Sequence, residues 1–199
     1  MTDEPSVLLT NDDGIDAPGI QVLADELVEV ADVTVLAPAD DQSGIGRRRS
    51  WDDVSIEERE IGHAVDGTPV DCVVAGVVAL DREFDVVVSG INAGPNVGAH
   101  VLGRSGTVGA AIEAGFLGLP AIAVSMYDAE ELPPGDPAFG DFEVAVAATR
   151  FLLEALFDGG LGSVDGEVSV SPLSAPKPTV DPAGQVIDPF RAGDIVSRL

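Results

Sequence analysis

The sequence predicts an α/β fold, a parallel sheet with helices crossing between its strands. Two observations carry that expectation. Apolar runs of strand length recur at residues 6–10, 33–37, 86–88 and 120–125, with stretches of helical periodicity between them. A strand followed by a helix and another strand is the unit from which parallel sheets are built, because parallel neighbours need a crossover connection.

The elements follow in order. Ser6-Val7-Leu8-Leu9-Thr10 is a buried strand running into the turn Asn11-Asp12-Asp13-Gly14. Ile20, Leu23, Ala24, Leu27 and Val28 fall at helical spacing, with Asp25, Glu26 and Glu29 on the opposite, solvated face. Val33 to Ala37 is a second strand, stopped by Pro38. From Asp40 to Asp66 the pattern is weak, with short strands expected near Val54-Ser55-Ile56 and His63-Ala64-Val65. Pro69 stands where a helix begins, and the stretch to Leu80 is apolar enough to be covered on most sides. Phe84 to Ser89 holds the buried strand Val86-Val87-Val88, and Gly90 to Gly106 reads as a glycine-rich loop. Thr107 to Leu117 is a helix of small residues that can lie close to the sheet. Pro120 to Ser125 is a strand, and residues 130–140 form a proline-punctuated loop. Phe142, Val146, Thr149, Leu153 and Leu156 mark an amphipathic helix ending at Gly159-Gly160, and residues 167–171 a last strand. Residues 1–173 are read as one α/β domain and 174–199 as a C-terminal tail.

Composition narrows the function. A chain of 199 residues suits a single domain, and 45% hydrophobic residues exclude a wholly disordered one. No apolar run reaches the ~20 residues that span a bilayer, and the start Met1 to Pro5 is too acidic and short for a signal peptide. A soluble, cytoplasmic protein without membrane contact is expected. Cys72 is the single cysteine, which excludes an intrachain disulfide and a cysteine zinc cluster. Against 35 acidic residues stand 10 basic ones, a net charge of −25 that repels a nucleic-acid backbone. The acids are spread along the chain and Lys177 is the only lysine, a balance that fits a halophilic surface kept soluble in high salt.

Three polar loops follow strands directly: Asn11 to Gly14, Asp40 to Gly44, and Ser89 to Asn96. In an open parallel sheet, ligands bind outside the carboxyl ends of the strands, so the three loops meet on one edge. They bring two adjacent carboxylates, a hydroxyl and amide oxygens, with no cysteine or histidine among them. Oxygen-only donors suit a hard divalent cation such as magnesium or manganese. The plainer reading of Asp12-Asp13 is an acidic turn capping the next helix. A fourth segment, Gly103-Arg104-Ser105-Gly106-Thr107, opens the small-residue helix, either as a simple N-cap or as an anion site built on free amides. It lacks the Gly-Lys-Ser/Thr of a phosphate-binding loop, and Thr107 stands where a nucleophile elbow needs glycine. His100 reads as an exposed loop histidine, with assistance to proton transfer as the alternative. A cation beside a phosphate cradle points to phosphoester hydrolysis.

The motifs LLTNDDGIDAPGI, APADDQSG, GTPVDCV, VVSGINAGPNVG and SGTVGAAIEA, in this order over residues 6–158, resemble the SurE family of metal-dependent nucleotidases. The resemblance implies a Rossmann-like α/β core. It also implies metal ligation by Asp12, Asp13, Ser43 and Asn92, Asp12 and Asp13 being the catalytic carboxylates. Asn96 would lie near metal and substrate, and Ser105, Gly106 and Thr107 would meet the phosphate. Gly67-Thr68-Pro69 matches a motif near the same pocket. The implied activity is hydrolysis of nucleoside monophosphates, as a phosphoric monoester hydrolase of the 5'-nucleotidase class. The preferred nucleophile is water activated by the cation, with direct attack by an aspartate as the alternative.

Two departures stand out. Arg47-Arg48-Arg49-Ser50-Trp51 replaces the usual stretch after Gly46, and is read either as a positive gate for anionic substrate or as a set of partners for Asp52, Asp53, Glu57 and Glu58. The C-terminal extension that serves oligomerisation in the family is shortened, so a homo-oligomer, dimer or tetramer, is expected with an altered interface. The alternative functions are a nucleotide-binding regulatory module without turnover and a serine esterase built on Ser105.

Overall fold

β1 (Ser6–Thr10) sits at the centre of a seven-stranded sheet of order β3-β4-β2-β1-β5-β6-β7. We describe it from a computed structural model that covers residues 4–126, 142–158, 168–172, 179–180 and 186–187, the last three segments as backbone only. The partners of β1 are β2 (Asp32–Pro38) and β5 (Val86–Ala93), both parallel. β6 (Ala121–Met126) and β7 (Val168–Pro172) continue the parallel side, and β4 (Gly62–Val65) pairs parallel with β2. Only β3 (Ile56–Arg59) runs antiparallel, as the outer arm of a hairpin with β4. A separate two-residue ladder joins β8 (Thr179–Val180) and β9 (Val186–Ile187). The expected α/β, Rossmann-like class is what the chain forms.

The strand alternation of period two divides the core between the two faces. Val7 and Leu9 of β1 pack on one side with Ile20, Leu23 and Leu27 of α1 (Pro18–Leu27) and Val146 and Leu153 of α5 (Glu143–Phe157). Leu8 packs on the other side with Cys72 and Val73 of α2 (Pro69–Val74) and Val108, Ala110 and Ala111 of α4 (Gly106–Phe116). The chain steps from β1 to β2 in one direction and later returns to lay β5 on the far side of β1. That reversal makes β1 and β5 the strands of a topological switch point, where a crevice opens at their carboxyl ends.

Two details bring helices close to that crevice. A Cβ on Gly19 would meet the Ile91 carbonyl oxygen at 2.1 Å, so only glycine lets the first turn of α1 lie against β5. α2 begins with a reciprocal capping box between Thr68 and Asp71, and passes without a break into a π-helical turn, Ala75–Ala79. Asp71, although buried, also accepts the backbone N–H of Ser50 at 3.0 Å and its hydroxyl at 2.7 Å. Burial raises the Asp71 carboxyl, but these bonds from Thr68 and Ser50 outweigh it and bring its pKa below the ordinary value.

The stretch expected as loop from Gly90 to Gly106 is different. β5 continues to Ala93, because Asn92 and Ala93 find register partners in Ser125 and Met126 of β6. A short helix, α3 (Ala99–Leu102), follows. Pairing with a neighbour in the fold overrides the weak local propensity of a glycine-rich segment. The loop at 130–140, the end of α5 at Gly159-Gly160, and most of the tail 174–199 lie outside the described residues. No helix among the described residues is long and apolar enough to cross a membrane.

Candidate active site

The loops after β1, β2 and β5 do converge. Asp12, Ser43, Gly44, Asn92, Gly94, Pro95, Asn96, His100, Val101, Arg104 and Ser105 line one cavity of about 350 Å³ at the switch point. Asp12, Ser43, Asn92, Asn96 and Ser105 were all expected there. Asp13, Gly106 and Thr107 lie beside the cavity rather than on its lining. Arg104 is the lining residue that sequence reading left without a role. It is visible in the sequence as a cation next to the anion-site serine, in a chain short of cations.

Asp12 does not cap α1, whose N-cap is Ala17 without a side-chain bond. It crosses instead to the N-terminus of α4. Its Oδ2 accepts the Gly106 N–H at 3.1 Å and its Oδ1 accepts the Thr107 hydroxyl at 2.6 Å. Here the carboxylate meets the positive end of the helix dipole. A Cβ on Gly106 would stand 2.6 Å from the Asp12 Cβ, so glycine is what admits the side chain. Burial nevertheless raises the Asp12 carboxyl above the ordinary value, its hydrogen bonds offsetting only part of that. Asp13 is pushed up to about 7, first by burial and then by the charge of Asp12, against a hydrogen bond from Ala93. Adjacent carboxylates, one buried and one partly buried, that resist joint ionisation form a place where a divalent cation is welcome.

The neutral donors fit the same role. Ser43 gives its hydroxyl hydrogen to Asp41 Oδ1 at 2.6 Å, which leaves lone pairs on its own oxygen. Asn92 gives an amide hydrogen to the Gly94 carbonyl at 2.8 Å, leaving Oδ1 as an acceptor. Asn96 bonds through Nδ2 to Ser125 Oγ at 2.8 Å and Thr107 Oγ1 at 3.3 Å, so a polar chain runs from Ser125 to Asp12. Ser105 is the N-cap of α4 and accepts the Val108 N–H at 3.2 Å. Among the described residues no group of three or more His, Cys, Asp or Glu side chains is placed to hold a metal ion.

Other residues singled out in the sequence have different positions. Arg47 pairs with Glu113 at 3.6 Å and stacks over Phe116 at 4.6 Å from the ring centre, while Glu57 pairs with Arg59. Arg47 therefore pairs with an acid other than those expected for it, because the chain runs back over α4 at Gly46. Arg48 and Arg49 are exposed and make no ion pair among the described residues. Thr68 is the cap of α2, and its hydroxyl bonds to the Arg48 carbonyl at 2.7 Å rather than lining the cavity.

A family model described as "Survival protein SurE" matches residues 7–181. The protein named "5'-nucleotidase SurE" of Halobacterium salinarum is 52% identical over 186 residues, covering 93% of this chain and 70% of its own length. The protein of the same name from Haloquadratum walsbyi is 46% identical over 210 residues, covering 100% of this chain and 75% of its own. Among solved structures, the SurE protein of Aquifex aeolicus superposes with a TM-score of 0.70 at 28% identity, over 92% of this chain and 80% of that one.

Proposed function

The chain belongs to the survival protein SurE family, and on that premise we propose that it is a metal-dependent phosphomonoesterase acting on nucleoside monophosphates, a 5'/3'-nucleotidase. The observation that carries this reading is the cavity at the switch point. The Asp12 carboxylate, the Ser43 hydroxyl and the Asn92 amide line it beside the N-terminus of α4, with the Asp13 carboxylate next to it in the chain.

In this reading Asp12, Asp13, Ser43 Oγ and Asn92 Oδ1 hold one divalent cation, magnesium or manganese. When bound, the cation polarises the phosphoryl oxygens and lowers the pKa of water. Gly106 and Thr107 act through Asp12: their N–H and hydroxyl groups fix the carboxylate so that it needs no reorganisation during the reaction. Asn96 and Ser105 face the substrate, Ser105 with a hydroxyl hydrogen free to meet a phosphoryl oxygen. Water attacks phosphorus as the P–O bond to the nucleoside breaks, and the proton that water gives up goes to the departing nucleoside oxygen. The acidic surface belongs to a cytoplasm rich in salt, and a homo-oligomer is the proposed assembly.

The test is phosphate release from a panel of 5'- and 3'-nucleoside monophosphates in high KCl, with manganese or magnesium, then with a chelator, then with a serine-directed reagent. Release that the chelator stops and the serine reagent spares is expected. Nucleotide binding without release would favour a regulatory module, and sensitivity to the serine reagent alone would favour an esterase at Ser105.

A further inference from the structure

We propose that Arg104 is a substrate ligand of this site, sharing with the Ser105 hydroxyl the grip on a dianionic phosphate ester. The proposal rests on the phosphatase reading and adds a residue that confers specificity for charge.

Most hydrogen-bond donors at this edge are already in use. The N-terminus of α4 is the obvious cradle for a phosphate, but its first turn is committed. The Gly106 N–H and the Thr107 hydroxyl go to Asp12, and the Thr107 N–H lies beside the same carboxylate. The Val108 N–H goes to Ser105 Oγ, and the Gly109 N–H to the Ser105 carbonyl. Asn96 spends its amide hydrogens on Ser125 and Thr107. Among the side chains lining the cavity, the groups with uncommitted donors are Asn92, through its second amide hydrogen, Ser105, His100 and Arg104, and only Arg104 carries a fixed positive charge. A dianion brought into this acidic surrounding needs more than a single hydroxyl.

Arg104 has the matching chemistry. Its guanidinium offers five N–H donors in a planar fork that suits phosphoryl oxygens and stays charged at any working pH. Among the described residues it makes no ion pair, whereas Arg47, Arg59, Arg82 and Arg150 each have an acidic partner; Arg48 and Arg49 are also unpaired but do not line the cavity. Its backbone is held from two sides, which fixes the base of the side chain at the cavity. The Arg104 carbonyl accepts the Gly46 N–H at 2.8 Å, and its own N–H bonds to the Val101 carbonyl at 2.9 Å. The next residue is the N-cap of α4, so guanidinium and Ser105 hydroxyl approach one ligand from adjacent positions.

The experiment compares wild type with Arg104→Met, which keeps the stem and removes the charge, and with Arg104→Lys. KM and kcat are measured for a 5'-nucleoside monophosphate with manganese. The dissociation constant of inorganic phosphate is measured by calorimetry on the same manganese-loaded proteins. For Arg104→Met, KM and the phosphate dissociation constant should each rise about tenfold, with a smaller change in kcat, as expected for the loss of one charge-assisted contact. Arg104→Lys should recover part of both, and the gap should narrow as KCl is raised. The side chain is exposed, so the melting temperature should not move. Unchanged KM and phosphate binding in Arg104→Met would overturn the proposal, as would a fall in kcat alone. If the wild type released no phosphate from any nucleotide, the activity reading would fail. The calorimetric comparison would still decide the role of Arg104.

Discussion

Replacing Asp12 by asparagine should abolish phosphate release, by a factor on the order of 10³ in kcat, or ~4 kcal/mol of transition-state stabilisation. Two losses combine. The charge that would face a divalent cation disappears. Asparagine also offers only one acceptor oxygen where aspartate uses two, for the Gly106 N–H and the Thr107 hydroxyl. With its NH2 toward the Gly106 N–H, two donors face each other; with its NH2 toward Thr107, the hydroxyl has to turn and accept where it donated. Glutamate should not rescue activity, because the contact between Asp12 and Gly106 leaves no room to accommodate a longer side chain without moving α4. The measurement is kcat at saturating manganese, with a melting curve to show that the variant is folded. Activity within about tenfold of wild type would mean that Asp12 does not act on the reaction.

The second expected result concerns stability rather than rate. The folded-state pKa of Asp13 lies near 7, above its ordinary value of 3.8, because burial and the neighbouring Asp12 disfavour the charge. The native chain therefore binds this proton more tightly than the unfolded chain. The stabilisation is full below about pH 4 and is lost as pH rises toward 7 and beyond, at most ~4 kcal/mol for a shift of this size. Asp12 shifts in the same direction. In chelator at pH 8, Asp13→Asn should then melt higher than wild type, by ~5–10 °C, and the two should coincide near pH 4. Manganese should raise the melting temperature of wild type at pH 8 and leave the variant nearly unmoved. A variant no more stable than wild type at pH 8 without metal would contradict the strain assigned to this carboxylate pair.

How much of this was legible in the sequence depends on range. The strands of the sheet centre announce themselves as short apolar runs, and the helices by their spacing. Local signals suffice there, because burial on both faces demands continuous Val, Leu and Ala. The meeting of the three polar loops on one edge was legible too, since each directly follows a strand. Contacts across the fold left no local trace. Nothing near Asn92 in the chain says that Ser125 extends its strand, and Gly19 shows its purpose only once Ile91 lies beside it. The largest gap lay at α4. Ser105 to Thr107 read as a free phosphate cradle, whereas a carboxylate 94 residues earlier already holds the Gly106 amide. That occupation is what moves attention to Arg104.

The central claim is that the carboxylate pair at the switch point holds a divalent cation. Its most direct test is a calorimetric titration of manganese into chelator-treated, folded protein at pH 6 and pH 8, in two buffers of different ionisation enthalpy. One site per chain is expected, with protons released at pH 6, fewer released at pH 8, and binding lost in Asp12→Asn. Absence of binding to protein shown to be folded, or equal binding by Asp12→Asn, would contradict it.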